Sequence, residues 1–236
     1  IFGPNAEVDF FTDANPSRES YSVYAQTTYS LADAFRIVSG LRYSEDTFTT
    51  DVTNFLNVES FQEEGTTDEI TSRVVAEFDF SEDLMGYFAL AKGFKPGGSN
   101  LTFGFDDDNA PPMVFPTFEA ETVDSVEFGL KSTFADGAAR ANIAVFSYTY
   151  ENLQFQATDP DIYRGGVANI PESEMSGLEI EFTGFLTDSL SLDMNLAFLD
   201  SEVTSDYEVL DNVDAYPYFF GEEDIRYGLR ENVKGN

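Results

Sequence analysis

Apolar and polar side chains alternate along most of this chain, in pairs of runs joined by short polar turns. In ESYSVYAQTTYSL, Tyr21, Val23, Ala25, Thr27, Tyr29 and Leu31 share one parity, against Ser22, Tyr24, Gln26, Thr28 and Ser30. A period of two puts successive side chains on opposite faces, so this run is a strand with one apolar and one wetter side. After Ala32-Asp33-Ala34, Phe35, Ile37, Leu41 and Tyr43 oppose Arg36, Gly40, Arg42 and Ser44. The next pair sets Ile70, Val74, Ala76, Phe78 and Phe80 against Arg73, Glu77 and Asp79, then turns at FSEDLM into LMGYFALAKGF. A third sets Val126, Phe128, Leu130 and Phe134 against Glu127, Gly129 and Lys131, turns at Ala135-Asp136-Gly137 and returns as AARANIAVFSYTYENLQFQ. In the fourth, Leu178, Ile180 and Phe182 oppose Glu179 and Glu181. Past a turn at residues 186–189, Leu190, Leu192, Met194, Leu196 and Phe198 oppose Ser191, Asp193 and Asn195.

The four turns, near Asp33, Asp83, Asp136 and Asp188, are 50, 53 and 52 residues apart. At the other ends of the hairpins lie long polar connections, residues 47–68, 96–120 and 158–173, with a possible strand at 52–58 in the first. Residues 1–20 read as loop with a short strand near 8–11, and the acidic tail from residue 202 has one plausible strand at 225–229. Runs of ten or more residues exceed the ~5–6 of an ordinary strand. Long strands, short turns at one end and long loops at the other are what an antiparallel transmembrane β-barrel requires. In hydrocarbon every backbone group must pair between strands, and ~9–11 residues are needed to cross. The same parity would suit a soluble β-sandwich, but strand length and loop asymmetry favour the barrel.

Composition adds exclusions. The 236 residues carry 44 acidic and 12 basic side chains, a net charge of −32. Phosphate binding needs clustered Lys and Arg, so nucleic acid is not a partner. Without cysteine or histidine there is no disulfide, no thiolate site and none of the common nucleophile–base chemistries. An enzyme is the least supported class, and no cofactor is expected. Phe and Tyr make up 15% of the chain, as aromatic girdles would demand.

Several residues stand out. Arg36, Arg42, Arg73, Glu77, Glu127, Lys131, Glu179 and Glu181 lie on the polar parity and are expected to face a wet lumen or a plug. Glu179 and Glu181, ~7 Å apart by strand rise, could form an acid/base pair, but no cleft or positioning motif accompanies them. Gly93-Phe94-Lys95-Pro96-Gly97-Gly98 ends a strand, the Pro and glycines re-aiming the chain into its loop. Its functional reading is a rim where substrate meets the mouth. In that loop Phe103, Phe105, Phe115 and Phe118, with Lys95, are candidates to touch a ligand or to pack the loop on itself. Asp106, Asp107 and Asp108 could hold calcium, but the stretch lacks the EF-hand glycine and distant Glu, and a solvated acidic loop is the favoured reading.

These residues also carry a resemblance. YSVYAQTTYSL followed by FRIVSGLRYSED resembles a barrel hairpin of TonB-dependent outer-membrane receptors, and LMGYFALAKGFKPGGSN resembles their Lys-Gly-Phe-Lys-Pro-Gly-Gly segment. ETVDSVEFGLKSTF, with Glu121, Thr122, Glu127, Gly129 and Lys131, and SGLEIEFTG follow in family order, so the resemblance covers roughly residues 21–201. It implies a 22-stranded barrel in the bacterial outer membrane, of which residues 1–236 supply eight to ten strands. Plug domain, TonB box and closing C-terminal strand lie outside the chain. It implies active uptake of a scarce nutrient (an iron–siderophore complex, cobalamin or an oligosaccharide), with lipid and lipopolysaccharide around the wall. Energy would come from TonB, ExbB and ExbD through parts not in this chain. Acidic loops disfavour strongly anionic chelates, although lumen arginines could compensate. A passive porin-type channel and a soluble acidic adhesin or glycan-binding module are the alternative readings.

Overall fold

The computed structural model describes residues 12–54, 59–100, 117–158, 165–187, 189–210 and 229–231. Eight long strands form one antiparallel sheet: β1 (Thr12–Ala32), β2 (Phe35–Asn54), β3 (Glu59–Ser81), β4 (Leu84–Lys95), β7 (Glu121–Phe134), β8 (Ala139–Thr158), β9 (Gly165–Thr187) and β10 (Leu190–Val203). Spatial order follows chain order, a meander interrupted only where the pair β5 (Gly98–Ser99) and β6 (Thr117–Phe118) stands aside from the sheet. A second small pair joins β11 (Glu208–Leu210) to β12 (Leu229–Glu231). The short turns fall where the alternation places them. At the β7–β8 turn Ala135, Asp136 and Gly137 all have positive φ, backbone that matches the twist of a tight hairpin.

Strand register turns the alternation into a continuous surface. Tyr29, Ile37, Ala76, Phe88, Phe128, Val145, Leu178 and Phe198 stand side by side in one lateral row across all eight strands. This apolar face is open: Phe128 is 54% and Phe198 62% exposed, whereas Val75, Ala89 and Phe146 on the opposite parity are nearly buried. That difference is the mark of a sheet curled toward its polar side. A sandwich would instead hide the apolar face between two sheets.

The apolar band also runs obliquely. It covers Tyr21 to Leu31 on β1 and Leu190 to Phe198 on β10, yet both stretches contain the shared row. Its centre therefore slips by about one residue per strand, and with ~3.3 Å rise and ~4.8 Å between strands this corresponds to a tilt of about 35°. Barrel walls need a tilt of this size.

Strand extent departs from the sequence reading in three places. β1 begins at Thr12 and includes Pro16, whose missing N–H can face away from β2. Residues 47–54 and 59–68, expected as a connection, continue β2 and β3 in register, Thr47 opposite Thr66 and Asn54 opposite Glu59. β9 begins at Gly165, so the connection after β8 is shorter than residues 158–173. Beyond the apolar band the alternation fades, while the hydrogen-bond ladder goes on. The expected strand at 8–11 lies outside the described residues, as does 225–228 of the one expected near the end, where Leu229–Glu231 forms β12.

Candidate functional site

The concave face carries the charged residues of the polar parity. The Arg36 guanidinium forks between two carboxylates of β3, donating to Glu77 at 2.5 Å and to Asp79 at 2.5 Å. Arg42 donates to Ser44 at 3.0 Å and to Ser22 at 2.9 Å, and Arg73 stands between Gly40 and Ala91 in the same face. Tyr87 donates its hydroxyl to Glu127 at 2.5 Å and lies under Lys131, 5.2 Å from ammonium to ring centre. Its ring covers Gly129, where any Cβ would collide with it, so a glycine in the β7 strand is filled by a neighbour's aromatic side chain. Glu181 accepts from Asn142 at 3.0 Å, and Glu179 lies between Ala144 and Ala197. Toward the turns this face opens into a polar cavity of about 820 Å³ lined by Asp79, Lys131, Arg140 and Asn142.

Because Arg36 serves two acids, removing it leaves two carboxylates side by side. We expect Arg36→Met to destabilise the full-length barrel by on the order of 1–2 kcal/mol, since the site is partly screened by water. The midpoint of the heat-induced gel-mobility shift measures this, and adding Glu77→Gln and Asp79→Asn should restore it. An unchanged midpoint in the single variant would show that the cluster carries no net stabilisation.

At the loop end, β4 leaves β3 after Lys92 but stays with β7 to Lys95. The chain then crosses the concave side. Arg18 of β1 donates to the Gly97 carbonyl at 2.7 Å. Across the mouth Asn100 exchanges two hydrogen bonds with the Val167 backbone of β9, at 2.7 and 2.8 Å. The Gln154 side-chain amide donates to the carbonyls of Lys95, Pro96 and Glu119 at 2.9–3.3 Å. Asn169 ties the Glu119 backbone through both ends of its amide, accepting at 2.8 Å and donating at 3.0 Å. The two limbs of the loop are thus strapped together and to both sides of the sheet. Neither Gly97 nor Gly98 has positive φ. Gly97 is required because its Cα rests on the Phe118–Ala120 backbone, and Gly98 because the Phe118 ring covers it. Close approach, not a left-handed turn, explains the Pro-Gly-Gly.

Of the rim candidates, Lys95 is exposed and Phe118 packs on Gly98. Phe94 pairs with Thr122, Lys95 with Glu121, and Gly93 sits against Val123. Phe103, Phe105, Phe115, Asp106, Asp107 and Asp108 lie outside the described residues. Sequence reasoning missed Arg18, Asn100, Gln154 and Asn169. Amides in polar strand ends carry no periodic signal, and their role depends on a loop arriving from far along the chain. Tyr150, five residues beyond Val145 toward the loop end of β8, has its phenol pushed up by burial and then by the charge of Glu121.

Comparison with known proteins agrees with this geometry. Residues 1–227 match the family described as TonB dependent receptor-like, beta-barrel. The chain is 28% identical over 226 residues to the pesticin receptor of Yersinia enterocolitica, covering 92% of this chain and 30% of that protein. It is also 28% identical over 197 residues to a probable TonB-dependent siderophore receptor, PiuA, of Acinetobacter baumannii, covering 81% of this chain and 25% of that protein. Among solved structures, the ferric yersiniabactin uptake receptor FyuA of Yersinia pestis superposes with a TM-score of 0.66 at 23% identity, over 82% of this chain and 28% of that one. The siderophore receptor PiuA superposes at 0.67 and 20% identity, over 85% and 28%. The chain therefore spans less than a third of the length of these relatives.

Proposed function

The chain belongs to the TonB-dependent receptor β-barrel family, and from that premise we propose that it forms part of the wall and mouth of an active-uptake receptor for a metal–siderophore complex. The family is one of outer-membrane receptors, transporters rather than enzymes. The observation that carries the reading is the unbroken apolar row facing outward across eight strands, backed by a charged concave face. Hydrocarbon on one side and a wet lumen on the other call for that division.

β1 and β10 are each paired on one side only among the described residues. Since hydrocarbon tolerates no open edge, further strands flank both in the working receptor, and residues 1–236 are a segment of one barrel domain. The Arg36 cluster and the Tyr87–Glu127–Lys131 group face the plug, while Lys95, Phe118 and the strapped loop form the extracellular rim. Drive comes through TonB with ExbB and ExbD, acting on other parts of the protein. A siderophore cargo is favoured over cobalamin or oligosaccharide by the relatives, whose names include a siderophore receptor and a ferric yersiniabactin uptake receptor.

The test is uptake of radioactive iron, supplied on siderophores of differing chemistry, by cells making the full-length protein with and without TonB. We expect accumulation of at least one chelate that disappears without TonB. Uptake that ignores TonB would point to the passive channel instead, and no uptake of any chelate would remove the siderophore assignment.

A further inference from the structure

Two arginines stand on adjacent strands of the concave face with no acid beside them. In register, Arg42 of β2 lies between Tyr24 and Thr71, and Arg73 of β3 between Gly40 and Ala91. Both belong to the polar parity and both are exposed. They are diagonal neighbours, with ~7–8 Å between their backbones. Along their own strands the same face presents Gly40, Ser44, Thr71 and Val75, again without a carboxylate. Arg18, Arg36 and Lys92 each pair with an acid, whereas Arg42 and Arg73 do not among the described residues. Acids outnumber bases 44 to 12, so two neighbouring cations left without one are not what composition would deliver. Like charges side by side repel, and an anion from outside the chain relieves that cost.

The surroundings leave room for one. A Cβ added at Gly40 would meet nothing closer than 3.7 Å, so the space beside Arg73 is open. Ser22 and Ser44 hold the Arg42 guanidinium through Nη2 and Nε, leaving Nη1 for another partner. On β2, Arg42 lies six residues above Arg36 and four below Asp46, the acid that meets Arg18 of the strap. The pair therefore stands between the plug-facing cluster and the strapped loop. We propose that Arg42 and Arg73 form an anion-recognition site that takes a ferric chelate bearing a free carboxylate. The guanidinium fork matches a carboxylate with two charge-assisted hydrogen bonds, which a chelate lacking one cannot accept in that form. Repulsion from the acidic loops is screened beyond ~8–10 Å, whereas the arginines act in contact. The Tyr24 ring, 74% exposed beside Arg42, adds a flat apolar face to the site.

The inference rests on the reading of this sheet as the wall of an iron-chelate receptor, but the two fail separately. The uptake assay reads TonB-driven transport, whereas equilibrium dialysis reads occupancy of purified protein. Full-length receptor in detergent is dialysed against radioactive ferric citrate, which carries carboxylates, and against ferrioxamine B. The latter is a cationic hydroxamate chelate without a carboxylate, which the chain's net charge alone would favour. Saturable binding of ferric citrate is expected, about tenfold or more tighter than that of ferrioxamine B. Arg42→Gln and Arg73→Gln should each weaken ferric citrate about tenfold, the effect of losing a hydrogen bond to a charged group. Heat-shifted gel mobility checks that each variant assembles, and the comparison of the two chelates on the unaltered receptor needs no variant. No saturable binding of ferric citrate, or ferrioxamine B bound as tightly, overturns the site. So does ferric citrate binding that either assembled Gln variant leaves unchanged.

Discussion

Phe128→Arg in the full-length receptor is expected to lower assembly into the outer membrane markedly. Phe128 sits in the middle of the lateral apolar row, flanked by Phe88 and Val145, and is 54% exposed on the convex side. An arginine facing lipid near the bilayer midplane costs ~2–4 kcal/mol in a transmembrane barrel. The lost packing of a large aromatic side chain adds to that. Against the ~5–15 kcal/mol that typically holds a native fold, this removes a large share of the margin and lowers the assembled fraction. Ala197→Arg is the control. It lies one residue from the same lateral row but on the concave face, beside Glu179, where water and a carboxylate receive the charge. The fraction of each variant with heat-shifted mobility in outer-membrane preparations gives the answer. If both arginines assemble equally well, the convex face does not touch lipid, and the barrel reading of this sheet is wrong.

The second large effect is expected at the loop strap. Gly97→Val places two methyl groups where the Phe118–Ala120 backbone now lies, and backbone cannot step aside as a side-chain tip can. Overpacking of this kind costs ~1–3 kcal/mol. It is enough to lift one limb of the loop from the other and free the Gly97 carbonyl from Arg18. Cleavage in the connection at residues 96–120 by proteinase K added to intact cells should speed up about tenfold or more. Barrel assembly, which depends on the apolar band below, should remain. Gln154→Leu should act in the same direction, because it withdraws the amide that holds Lys95, Pro96 and Glu119 together. Lys95→Ala, which alters only an exposed side chain, should leave cleavage unchanged. Equal cleavage in the unaltered protein and in Gly97→Val would mean that the strap does not hold in the membrane.

Both expectations rest on features of different legibility. Within the apolar band, Tyr21 to Leu31 or Leu190 to Phe198, side-chain direction alternates with every residue and lipid rewards one parity, so the pattern is written locally. In the polar extensions, residues 12–20, 47–54 and 59–68, neither parity is consistently apolar in sequence. Neither parity is selected, and strands there read as loop although the ladder runs on from Thr47 to Asn54 opposite Glu59 to Thr66. The Lys-Pro-Gly-Gly segment shows the same limit from another side. Its sequence announces a change of direction, but the reason for its glycines is a second limb, Phe118 to Ala120, that arrives about twenty residues later.

By itself the sequence determined the strand periodicity, the four turns near Asp33, Asp83, Asp136 and Asp188, which residues share a parity, and the resemblance that the family match bears out. These are properties of neighbours along the chain, set by backbone geometry and by a solvent that differs on the two sides of the wall. Only the tertiary structure decided that the parities line up as one unbroken row, that the apolar face is the convex one, and that the loop is strapped from Arg18 to Val167. Each of these depends on register between strands or on contacts across 50 or more residues, and no local period encodes which partner a side chain will meet.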